Sequence, residues 1–213
     1  MSATTDVIRE FWVGRTAIDG HVASRFHGEH DAYDLPAIAA LAGADADARV
    51  LDLGCGTCSV SNALADLLGW SIHAVDFMPD FLRHADPRLT TEVGDVRTYR
   101  SDERFDLVLL LGVITYVESA ADRADLYERC AQMLATDGSP LLIKAQFGVE
   151  HEVVVDTDSE ALGARYRGIY PYLPDEVALL SERFDVEVRD PYPDALSPHA
   201  DTHFHHLVAR RRP

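Results

Sequence analysis

Cysteine is scarce in this chain, with Cys55, Cys58 and Cys130 the only three in 213 residues. So small and odd a count excludes a disulfide framework as the basis of the fold. Long apolar runs are missing too. The longest, Leu107 to Ile114, falls far short of the roughly 20 residues that cross a bilayer as a helix. The opening Met-Ser-Ala-Thr-Thr-Asp-Val-Ile lacks the basic start and apolar block of a signal peptide, so a cytoplasmic protein without membrane attachment is expected. Positive charge is in short supply: 19 Lys and Arg stand against 36 Asp and Glu, a net −17. A surface of that sign repels phosphate backbones and argues against a nucleic-acid partner. The basic run Arg210 to Arg212 reads as a solvated tail.

What is present is an ordinary globular composition, 47% hydrophobic and 26% charged, at a length that suits one domain with a sizeable core. Monomer and homodimer both remain open. The chain is organised around Val50-Leu-Asp-Leu-Gly-Cys-Gly-Thr-Cys-Ser59. An apolar strand pattern breaks at Gly54 and Gly56, and a helical pattern through Val60, Leu64, Leu67 and Leu68 follows. Strand, tight loop and helix start together form a seat for a small polar molecule. Three chemistries compete for it: a dinucleotide site, a redox Cys-x-x-Cys, and an S-adenosylmethionine site.

The periodicity predicts a short helix over 5–13, an irregular cap over 14–34, and a helix begun by Pro36. From residue 50 strands alternate with helices: strands at 50–53, 71–76, 90–95, 105–112 and 141–145, with helices at 60–68, 79–84 and 122–134 between them. Such alternation predicts a parallel sheet covered on both faces, with its ligand beyond the carboxyl ends of the strands. Residues 147–173 interrupt the rhythm at a length that marks a functional loop. A helix from Leu173 and strands near 185–189 and 202–209 complete the chain.

These motifs resemble those of class I S-adenosylmethionine-dependent methyltransferases of the small-molecule type. The likeness rests on Val50 to Thr57, Asp76 closing the second strand, Gly94-Asp-Val96, and Phe105-Asp-Leu-Val-Leu. It implies an α/β, Rossmann-like, doubly wound sheet of seven strands, the last antiparallel, behind an N-terminal helical cap. One domain would then divide into a cap (1–48), a cofactor-binding core (49–146), a lid insertion (147–173) and a C-terminal part (174–213). The resemblance assigns S-adenosylmethionine to Asp52, Gly54, Cys55, Gly56, Asp76, Phe77, Asp95, Val96 and Leu111. Asp76 would take the ribose hydroxyls and Asp95 the adenine amino group, with Phe77 and Val96 as apolar walls. The family usually has a third glycine where Cys58 stands.

The rivals explain less. A nicotinamide fingerprint needs glycine where Ser59 lies. A thioredoxin-like reading of Cys55 and Cys58 leaves Gly54, Gly56, Asp76 and Asp95 without a role, and zinc lacks a second Cys-x-x-Cys. Two alternatives remain: a subunit that binds the cofactor without catalysing transfer and, with less support, a nicotinamide-dependent oxidoreductase. For catalysis the candidates are Tyr116 after the fourth strand, Tyr33 as a lid aromatic, and His27, His30 and His151 as bases facing a small-molecule acceptor of specialised metabolism. Ten histidines could furnish a two-histidine, one-carboxylate metal set, but no ligand spacing demands one, and no metal is assigned. Alternation puts His203 and His205 on one face of the last strand, and Phe204, His206 and Val208 on the other.

Overall fold

A computed structural model of the chain describes residues 3–18, 29–43, 47–159, 163–197 and 199–212. Two helices, α1 (Ala3–Ile18) and α2 (Glu29–Ala42), precede β1 (Arg49–Leu53), α3 (Ser59–Leu68), β2 (Ser71–Asp76), α4 (Pro79–Leu82), β3 (Thr90–Val93) and β4 (Leu107–Leu111). A 3-10 turn at Ile114–Tyr116, α5 (Ala120–Met133) and β5 (Pro140–Gly148) follow. The hairpin β6 (Val153–Ser159) and β7 (Ala164–Tyr170) comes next, then α6 (Leu173–Leu180), β8 (Phe184–Val188) and β9 (Thr202–Arg211).

Seven strands form one sheet in the order β3-β2-β1-β4-β5-β9-β8, with β9 antiparallel to both neighbours. This is the doubly wound, Rossmann-like sheet that the sequence led us to expect. Chain order reverses between β1 and β4, and such a switch point opens a crevice at the carboxyl ends of those strands. Strands β1, β4 and β5 are apolar on both faces because helices cover both. Leu51, Leu53, Val108, Leu110 and Ile143 pack toward α5 and α6, while Val50, Leu107, Leu109 and Leu142 pack toward α2 and α3. The alternation puts Asp52 and Lys144 on the latter face, among otherwise apolar neighbours.

Three expectations change. Helix α1 runs to Ile18 instead of ending near residue 13. Pro36 lies inside α2 rather than starting it; lacking an N–H, it leaves the carbonyl of Ala32 without the usual helical donor. The interruption at 147–173 is no structureless loop. Strand β5 runs on to Gly148, paired along its whole length with β9, and β6 and β7 then pair from Val153↔Tyr170 to Ser159↔Ala164. The alternation of Val153, Val155, Thr157 and Ser159 gives this hairpin one face turned toward the switch-point crevice.

Candidate active site

The glycine loop is held by backbone donors. Gly54 and Cys55 give their N–H groups to the Val75 carbonyl at 2.7 and 3.1 Å, fastening the loop to the end of β2. Gly54 adopts φ +80°, and a Cβ there would lie 2.5 Å from Val113 Cγ2, so both conformation and space require glycine. Asp76 organises the next turn: Oδ2 accepts from Gly56 N at 2.9 Å and Oδ1 from Met78 N at 2.8 Å. With about four lone-pair sites on its two oxygens, the carboxylate can still accept from a ligand hydroxyl. Cys58, where a third glycine was anticipated, takes φ 59° and ψ 19° at the start of α3, the left-handed conformation that a glycine would adopt more easily.

Asp52 is almost completely buried and accepts from Ser61 Oγ at 2.5 Å. Its Oδ1 is buried without a hydrogen-bond partner. Burial raises its pKa to about 6, against the Ser61 hydrogen bond and helped by the Asp76 charge. Asp76 also rises to about 6, because burial outweighs the hydrogen bonds from Met78, Gly56 and Phe77. A buried acceptor without a donor carries a cost of roughly 1–3 kcal/mol, and a cationic ligand group beside the loop would relieve it. Asp95 behaves differently. Burial acts to raise it, but Arg97 donates to it from both main chain and guanidinium and holds it below the usual carboxylate range.

All nine residues assigned to the cofactor line one cavity of about 990 Å³ over the switch point. That is the upper end of the roughly 300–1,000 Å³ usual for ligand pockets, and it reaches well beyond the glycine loop. Ile8, Phe11, Trp12 and Arg15, spaced as one helical stripe, form the α1 wall. Trp12 meets Tyr116 edge-on at 5.8 Å and Phe11 meets Tyr166 at 5.0 Å. From the hairpin, Tyr166 and Tyr170 share a hydroxyl hydrogen bond of 2.8 Å. Burial pushes the Tyr116, Tyr166 and Tyr170 phenols upward, so at neutral pH they remain protonated and can donate hydrogen bonds.

On the acceptor side the five candidates separate. Tyr116 and His30 line the cavity; His30 is buried, with Nε2 3.1 Å from the Leu196 carbonyl. His151 does not: it is exposed in the turn between β5 and β6. Tyr33 is also absent from the cavity wall, its ring packing on Tyr192 at 4.3 Å. His27 lies outside the described residues. Among the described residues no group of three metal-ligating side chains forms.

Sequence reasoning missed a buried network beside the pocket. Lys144 Nζ donates to Asp34 Oδ2 at 2.5 Å. The Tyr192 hydroxyl donates to Asp34 Oδ1 and lies 2.8 Å from His206 Nε2. Burial opposes ionisation of Asp34, yet His206, Lys144 and Tyr192 together hold its pKa low. Strand alternation had placed His206 and Phe204 on one face of β9, and both make ring contacts there, His206 tilted against Tyr192 and Phe204 edge-on to His30. The redox rival loses support: Cys55 and Cys58 are free thiols 3.5 Å apart. Hydrogen bonding with Cys58, burial, and the Asp52 and Asp76 charges push the Cys55 thiol up, the reverse of what a redox nucleophile needs.

Residues 50–138 match the family model described as a methyltransferase domain. That match spans somewhat less than half of the chain and takes in the glycine loop, Asp76, Asp95 and strands β1 to β4. No curated protein matches the sequence. Among solved structures, the complex of DhpI with SAH superposes on the chain with a TM-score of 0.73 and 17% identity, over 97% of this chain and 98% of that one. The 1,6-didemethyltoxoflavin-N1-methyltransferase of Burkholderia thailandensis, with 1,6-didemethyltoxoflavin and S-adenosylhomocysteine bound, gives 0.67 and 19% over 99% and 87%. The glycopeptide N-methyltransferase MtfA with S-adenosyl-L-methionine gives 0.65 and 19% over 84% and 93%. At these identities the likeness is one of fold, and the residues matched by the family model include the glycine loop at the switch point.

Proposed function

We propose that this chain is a cytoplasmic S-adenosylmethionine-dependent methyltransferase acting on a small-molecule acceptor of specialised metabolism. The observation that carries the reading is the orphaned Oδ1 of Asp52, buried beside the glycine loop in the same cavity as Asp76, Phe77, Asp95, Val96 and Leu111. A cofactor with an ammonium group, two ribose hydroxyls and a flat base fits this series in order. Asp52 accepts from the ammonium, Asp76 from the ribose, and Asp95 from the base amino group, between Phe77 and Val96. Structural neighbours solved with S-adenosyl ligands, one of them also with 1,6-didemethyltoxoflavin bound, support the same reading.

When bound, the cofactor supplies an electrophilic methyl group on a sulfonium. The protein's task is then to hold the acceptor in line, about 3–3.5 Å away, and to exclude water. The cap (1–48) and lid (147–173) do this through the α1 stripe and the hairpin phenols. Tyr116, protonated, positions the acceptor by donating a hydrogen bond, and His30 is the base candidate that the cavity retains. A cavity extending past the cofactor residues favours an enzyme over a non-catalytic binding subunit. No described helix is long and apolar enough to cross a membrane.

The test is calorimetry with S-adenosylhomocysteine on wild type and Asp76→Ala. Binding by the wild type that is lost in the variant supports the assignment; equal affinity overturns it.

A further inference from the structure

Three arginine or lysine side chains line the cavity: Arg15, Arg97 and Lys144. Arg97 is paired with Asp95, and Lys144 is 2.5 Å from Asp34. Arg15 is half-buried and makes no hydrogen bond or ion pair with a described residue, in a chain where 36 acids face 19 bases. Its position is set by the stripe Ile8, Phe11, Trp12 and Arg15, whose first three members pack against the site. A guanidinium presents five donors in a planar fork matched to a carboxylate or phosphate. Half-buried in the cavity wall and paired with no described acid, it is prepared for an anion brought in by a ligand.

We propose that Arg15 is the anion seat of this cavity and binds an oxyanion, carboxylate or phosphate in type, of the molecules used in the reaction. The inference rests on the methyltransferase reading and deepens it. Two sources share this chemistry. One is the α-carboxylate on the amino-acid half of the cofactor, whose ammonium is assigned to Asp52. The other is an acidic group on the acceptor. The competing explanation is structural, because Arg15 lies in the last turn of α1, where a cation suits the helix dipole. That role predicts a small loss of stability and no ligand selectivity.

The experiment compares wild type, Arg15→Gln and Arg15→Lys in binding S-adenosylhomocysteine and 5′-methylthioadenosine, which keeps the nucleoside and sulfur but lacks the amino-acid group. Thermal shifts of the S-adenosylhomocysteine-loaded proteins with benzoate and inorganic phosphate form the second arm. If the cofactor carboxylate is the anion, Arg15→Gln weakens S-adenosylhomocysteine about 10- to 100-fold, leaves 5′-methylthioadenosine unchanged, and Arg15→Lys recovers part of the loss. If the anion belongs to the acceptor, both nucleosides bind all three proteins alike, and benzoate or phosphate stabilises wild type but not Arg15→Gln. Retained 5′-methylthioadenosine binding shows that a variant is folded. Wild-type behaviour of Arg15→Gln in both arms overturns the proposal. A wild type that binds neither nucleoside overturns the cofactor reading and this inference with it.

Discussion

Cys58 shows how one residue can meet a demand usually met by another. The chain must enter α3 through a left-handed turn, and Cys58 adopts φ 59° there while fully buried. The strain is on the order of 1–2 kcal/mol, offset in part by packing of the small thiol. Cys58→Gly should therefore be close to neutral, whereas Cys58→Val, branched at Cβ, should destabilise by about 2 kcal/mol or more in urea denaturation; equal stability of the two variants would contradict this account. Asp52 presents the opposite trade. An aspartate in the unfolded chain titrates near 4, but in the fold Asp52 and Asp76 titrate at about 6. The folded state thus holds more protons between pH 4 and 6, and its stability falls as pH rises through that window. At pH 7 Asp52→Asn should stabilise the ligand-free protein by about 1 kcal/mol and flatten this slope, yet weaken S-adenosylhomocysteine about ten-fold. Denaturation at pH 5 and 7, with calorimetry, reads both effects, and a variant less stable than wild type at pH 7 would refute the argument.

At the scale of elements, the buried pair Arg123–Glu176 links α5 to the first turn of α6 at 2.9 Å. Tyr127 donates to the same carboxylate at 2.5 Å. Arg123 also donates to the carbonyls of Val117 and Glu118, which fixes the chain just after Tyr116. Removing one member of a buried pair leaves an uncompensated charge and costs about 3–5 kcal/mol. Glu176→Ala should lower the melting temperature by roughly 10 °C for a domain of this size, with Glu176→Gln milder because Tyr127 and Arg123 keep an acceptor. A drop of only a degree or two in scanning calorimetry would show the pair to be dispensable. The strands of the core were legible because buried parallel strands are continuous apolar runs, and those at 53, 76 and 111 end where a loop or an acid breaks the run. The start of α2 was not legible, since Glu29 to Leu35 carry no clean period and Pro36 looks like a beginning. The hairpin was obscured by its polar outer face. The Asp34–Lys144–Tyr192–His206 network could not be read from spacing, because its members come together only when β5, β9 and α2 pack. His151 lies off the cavity wall for a related reason: its place just after β5 in sequence says nothing about which way the following turn faces.

Across the whole molecule these features describe a fold that is less comfortable without its ligand. Two carboxylates sit buried at the glycine loop, one with an oxygen unpartnered, and an arginine in the cavity wall pairs with no described acid. Each is a local cost that a charged ligand removes, so binding energy and folding energy are linked at this site. A ligand that binds only the folded state adds about 2.7 kcal/mol at one hundred times its dissociation constant. For a chain of 213 residues that corresponds to a rise of roughly 5–10 °C in melting temperature. S-adenosylhomocysteine should produce that rise, growing with the logarithm of its concentration. NAD should not: Ser59 occupies the position where a dinucleotide fingerprint needs glycine, and the acids around the loop repel a pyrophosphate. The rise should also shrink as pH falls from 7 to 5, because protonation of Asp52 and Asp76 removes the charge that receives the ligand's ammonium and hydroxyl groups while easing the strain of the empty fold. A shift with NAD equal to that with S-adenosylhomocysteine, or a shift independent of pH, would mean that the buried acids are not what the cofactor binds.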